Sequence, residues 1–141
     1  MGFNGSKFNG YGNKKPVVLL GGNMGDKDVS GEIAKSLKSL GFRFRIVDGV
    51  YKGMVEKSFV IPYEVDNNND INTLIGISEH FNQESVLILD RNRNAKLFFI
   101  DGFKITKLGK FTPFTEKEFN LLSDDLKESY TFDGDYYYVC I

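Results

Sequence analysis

The chain has no tryptophan, one cysteine and one histidine, and almost no net charge, with eighteen Lys and Arg against nineteen Asp and Glu. Each shortage removes a class of explanation. A single thiol, Cys140, builds neither a disulfide framework nor a thiolate metal site, and in a terminal strand it reads as small core filler. A single histidine, His80, cannot assemble a zinc centre; beside Phe81 near a helix end it reads as a partner of the helix dipole or a surface residue. Near-neutral charge argues against duplex DNA held by bulk electrostatics. No apolar run reaches membrane-spanning length and the N-terminus lacks a signal-peptide core, so the expectation is a cytoplasmic protein with no membrane partner. A cofactor loop is missing too. GGNMGDKDVSGE joins a strand to a helix, but it is neither a Walker A loop nor G-x-G-x-x-G, and Asp26 and Asp28 oppose a phosphate. The same stretch imitates a calcium loop through Asp26, Asp28, Ser30 and Gly31, yet its twelfth position is Leu37 where a bidentate Glu is required. No metal and no cofactor are expected.

What the chain has in quantity is aromatic: thirteen Phe and seven Tyr in 141 residues. Such residues favour half-buried pleated surfaces, so the chain should be rich in strand. Residues 1–15, glycine, asparagine and lysine with isolated aromatics, read as a flexible N-terminal arm, and 16–141 as a single α+β domain. Val17 to Leu20 is apolar throughout, as in a strand buried on both faces. A helix follows from about Val29 to Leu40 with Val29, Ile33, Leu37 and Leu40 as its stripe, ended by Gly41. Phe42 to Val47 and Glu56 to Ile61 read as strands, Ile71 to Phe81 as a second helix, and Ser85 to Leu89 with Ala95 to Ile100 as a hairpin. Ile105 to Leu108 adds a short strand. Thr115 opens a third helix with a capping box to Glu118, and Tyr136 to Ile141 is a last strand. The order strand, helix, strand, strand, helix, strand predicts a ferredoxin-like split βαβ sheet (β-α-β-β-α-β) with an added hairpin strand and a C-terminal helix-strand extension.

The ribbon from Gly41 to Pro62 carries the most site-like cluster: Asp48, Tyr51, Glu56 and Ser58. Glu56 and Glu84 each begin a strand. If those strands share an edge, Tyr51, Glu56, Ser58, Gln83, Glu84 and Ser85 converge into a ligand-binding group. Two carboxylates can do acid–base work. They can equally cap ladder ends, and Glu56 and Gln83 are read first as partners of unpaired backbone groups at strand starts. Arg43, Arg45, Arg91 and Arg93 beside Phe44, Phe98 and Phe99 would make a basic aromatic rim, but no RNP1 signature accompanies them, so a solvated charged edge is the preferred reading.

GVYKGMVEKSFVIP, a short helix and then HFNQESVLILD resemble an uncharacterised family of small bacterial and phage proteins with the motifs G-x-Y-x-G-x-x-E-x-S-F-x-V and F-x-Q-E-S-V. The matching positions are Gly49, Tyr51, Gly53, Glu56, Ser58, Phe59 and Val60, then Phe81, Gln83, Glu84, Ser85 and Val86. The resemblance implies no reaction but points to a phage origin. Without a histidine pair, metal ligands or a cofactor loop, the expected function is a non-enzymatic accessory or host-takeover module that binds a protein partner or self-associates. The alternative is a small-molecule ligand, of nucleotide type, held around Tyr51, Glu56 and Gln83.

Overall fold

The structure is a computed structural model that describes residues 15–64, 66 and 68–141. In chain order it contains β1 (Val17–Gly21), β2 (Asn23–Met24), β3 (Lys27–Asp28), α1 (Ser30–Ser39), β4 (Arg45–Tyr51), β5 (Met54–Pro62), α2 (Asn68–His80), β6 (Ser85–Leu89) and β7 (Asn94–Phe99). There follow β8 (Ile105–Phe114), α3 (Glu116–Asn120), β9 (Tyr130–Phe132) and β10 (Tyr137–Cys140). The arm expected over residues 1–15 lies, but for Lys15, outside the described residues.

Eight of these strands close into one antiparallel barrel in the order β1-β5-β4-β9-β10-β8-β7-β6, with β6 returning to β1. This corrects the ferredoxin-like sheet. A split βαβ sheet is open, with its second strand at an edge, whereas β4 pairs with β9 as well as β5 and the ring continues through β10, β8, β7 and β6 back to β1. The supposed C-terminal extension is what closes the ring. β8 runs for ten residues, its first part against β7 and Phe111 to Phe114 against β10, and β9, which carries no strand signal of its own, pairs Asp48 of β4 with Phe132. Gly109 and Pro113 interrupt the β8 pattern enough to hide it from periodicity. Gly109 marks a register shift opposite Ala95 and adopts φ +85°, where a side chain is strained.

Two apolar layers result, and the period of two along each strand sorts residues between them. Val17, Leu19, Val47, Val60, Leu89, Ala95, Phe111 and Tyr138 pack inside the barrel. Val18, Leu20, Phe59, Ile61 and Val86 face outward and are covered by Val29, Ile33 and Leu37 of the α1 side and Leu74 and Ile77 of α2. The unbroken apolar run of β1 is thus explained, one face filling the barrel and the other lying beneath the helices. Thr115 and Glu118 form the anticipated capping box at α3, with Glu118 N–H donating to Thr115 Oγ1 at 3.2 Å and Thr115 N–H to Glu118 Oε1 at 2.9 Å. Among the described residues no helix is long and apolar enough to cross a membrane.

Candidate functional site

An eight-stranded barrel has an interior that side chains can just fill, so any run of small inward residues leaves a hollow. One end here is filled and plugged. Arg93 is buried in the β6–β7 turn, its guanidinium donating to the Lys15 carbonyl at 2.8 Å. Asp133, also buried, accepts from the Tyr138 hydroxyl at 2.8 Å and from the N–H groups of Asp135 and Tyr136. Arg93 therefore belongs to the barrel's base and to no basic rim.

The other end is open. Gly21, Gly49, Ser58, Ser85 and Thr131 line it and leave a cavity of about 680 Å³ that reaches down to Leu19, Leu87, Leu97, Phe111 and Tyr138. All six residues singled out from the sequence, Tyr51, Glu56, Ser58, Gln83, Glu84 and Ser85, lie on its wall. Pairing of β1 with β5 on one side and β6 on the other brings the starts of those two strands together around Gly21. Asp48 does not join them; it sits on the exposed alternate face of β4.

Among the described residues, Glu56 is the one carboxylate on that wall whose acidity is clearly perturbed. Burial raises its pKa, and the Asn23 N–H, donating to Oε2 at 3.2 Å, partly offsets this. Gln83 Nε2 donates to the Asn23 carbonyl at 2.6 Å. Glu56 and Gln83 thus hold the backbone of one residue, Asn23, between them. Cys140 also faces the hollow, and burial pushes its thiol up to about 11, which leaves it protonated and inert at neutral pH.

The charge on the wall is one-sided. Among the described residues lining the cavity there are three carboxylates, Glu56, Glu84 and Asp125, and no Lys, Arg or His. Lys52 stands at the edge, its ammonium 5.3 Å from the Tyr51 ring centroid. Asn23, Gly49, Asp125, Ser129 and Thr131 were not anticipated. Gly49 could have been found, being two residues from Tyr51 and so on the same strand face. The contribution of β9 depends on a long-range pairing with no local signal.

The family model for S-adenosylmethionine lyases matches residues 26–141, all but the first 25 residues of the chain. The chain belongs to the S-adenosylmethionine lyase family. No curated protein matches it. Family membership implies an enzyme, a lyase acting on S-adenosylmethionine, and so replaces both the resemblance to an uncharacterised phage family and the expectation of a non-enzymatic accessory module. That expectation rested on missing histidines, metals and cofactor loops, which are needed where a poor leaving group must be activated. The sulfonium of S-adenosylmethionine is activated already. It departs as a neutral thioether and asks the protein for no proton.

Proposed function

We propose that this protein cleaves S-adenosylmethionine at a bond to its sulfonium, with the substrate held in the open end of the barrel. The observation that carries this is the pairing of an acid-lined, cation-free wall with family membership. S-adenosylmethionine is a nucleoside without phosphate and bears a net positive charge. The wall suits it and repels a nucleotide phosphate, which narrows the nucleotide-type ligand expected from the sequence. Glu56 supplies the countercharge. Its carboxylate has lost part of its hydration to burial, and an arriving sulfonium restores a favourable partner.

The chemistry sets what such a carboxylate can do. As the carbon–sulfur bond breaks, its electron pair goes to sulfur and the positive charge there disappears. A carboxylate facing the sulfonium therefore favours the bound substrate over the transition state, so Glu56 captures and orients. Rate comes from holding the substrate's own reacting group in line with the breaking bond, and from the apolar floor of Leu19, Leu87, Leu97 and Phe111, which keeps water away. A lyase adds no water: the initial products together have the mass of the substrate.

Incubation with S-adenosylmethionine should show its loss and the appearance of an adenosyl thioether by chromatography and mass spectrometry. Glu56→Gln should raise KM by about ten- to a hundredfold, the worth of one charge-assisted contact, with a smaller change in kcat. Failure of the native protein to consume S-adenosylmethionine would overturn the proposal.

A further inference from the structure

We propose that Gly21 and Gln83 are positioning residues for Glu56, together setting which carboxylate oxygen is bound by the protein and which is presented to the cavity. This rests on the reading above that Glu56 faces the substrate cation.

The geometry at Gly21 is unusually tight. A Cβ placed there would lie 2.6 Å from Glu56 Oε1 and 2.9 Å from both Cδ and Oε2. The carboxylate therefore lies flat over the bare Cα of Gly21, in space that any other residue would occupy. Backbone conformation does not demand the glycine, because Gly21 lies in β1 and is absent from the residues with positive φ. What demands it is the carboxylate.

The chain immediately beyond holds one end of that carboxylate. Gly22 N–H donates to the Lys57 carbonyl at 2.7 Å and the Gly22 carbonyl accepts from Val29 N–H at 2.8 Å, which pins the turn against β5. Asn23 N–H then reaches Glu56 Oε2 at 3.2 Å, and Gln83 Nε2 fixes the Asn23 carbonyl at 2.6 Å from the β6 side. With Oε2 bound to the backbone, Oε1 is the oxygen left to meet a cation. Gln83 acts on Glu56 only through Asn23, and Gly21 acts by leaving room.

The test reads the free protein and the enzyme separately. In the native protein the Asn23 amide proton resonance should shift with pH as the Glu56 carboxylate titrates. Gly21→Ala should fold, since the three atoms nearest the new methyl are all at the far end of the Glu56 side chain, which can turn aside, and in it that response should be lost. Gln83→Leu should likewise weaken the response. The kcat/KM of Gly21→Ala should fall by about ten- to a hundredfold, as expected for a displaced orienting group. Gly76→Ala, where an added Cβ meets nothing within 4 Å, should behave as the native protein does. Adding Glu56→Asp to Gly21→Ala, which withdraws the carboxylate from the new methyl, should recover part of the loss.

Retention of the Asn23 response and of native kcat/KM in Gly21→Ala would overturn the proposal. So would a fall in kcat/KM with the Asn23 response intact, because Gly21 would then act on the substrate directly. If the native protein does not turn over S-adenosylmethionine, the catalytic reading fails and the Asn23 response alone decides the positioning role.

Discussion

At the residue scale, Glu56, the group proposed to face the substrate, should carry some expense to stability. Burial raises its pKa, so the folded protein holds this proton more tightly than the unfolded chain does. The resulting stability is full below the unfolded glutamate value and is lost as pH rises through the folded one. Glutamine at this position keeps an acceptor for Asn23 N–H but carries no charge to desolvate. We therefore expect Glu56→Gln to have a higher urea midpoint than the native protein near about pH 7, with the advantage shrinking as pH falls below the ordinary glutamate range. A lower midpoint at neutral pH would show that the ionised carboxylate is a net contributor to the scaffold.

At the scale of elements, the outward face of β1 and the stripe of α1 depend on each other. Val18 and Leu20 are fully buried, yet they point away from the barrel interior and need Ile33 and Leu37, also fully buried, to cover them. A helix of ten residues has little stability of its own and stays folded through this contact. Ile33→Ala should cost about 2–5 kcal/mol through lost burial and a residual cavity. Lys35→Ala, on the exposed side of the same helix, should stay within about 0.5 kcal/mol. Urea unfolding of both variants checks this, and equal midpoints would mean that α1 is not the cover of β1.

For the whole molecule, closure is what creates both the hollow and its charge class, since the wall draws on β1, β4, β5, β6, β9 and β10. A ligand that enters it should stabilise the fold by mass action, by about 2.7 kcal/mol at a hundredfold excess over Kd. Measured quickly against turnover, S-adenosylmethionine should raise the melting temperature, whereas ATP at equal concentration should not, its phosphates facing carboxylates with no cation on the wall. Equal stabilisation by ATP would place the binding site elsewhere.

Local chemistry was legible in the residues themselves. The apolar run of Val17 to Leu20, Ile33 and Leu37 of the α1 stripe and the Thr115–Glu118 capping box could each be read because the deciding pattern spans only a few positions along the chain. Leu40, expected in that stripe, is exposed, and the candidate-site residues meet only through long-range pairing on β1. Architecture could not be read, because the same succession of strands and helices is compatible with more than one pairing. Val18 facing a helix and Val17 facing Leu89 look alike as sequence. The choice between an open sheet and a barrel rested on β8, β9 and β10, where Gly109 interrupts the pattern and the three residues of β9 are too few to show one. It was settled by distant partners, Asp48 with Phe132 and Val17 with Leu89. Whether Glu56 could be a buried countercharge was decided there as well, since burial raises its pKa and the Asn23 N–H, carried to it by the turn after β1, only partly offsets this.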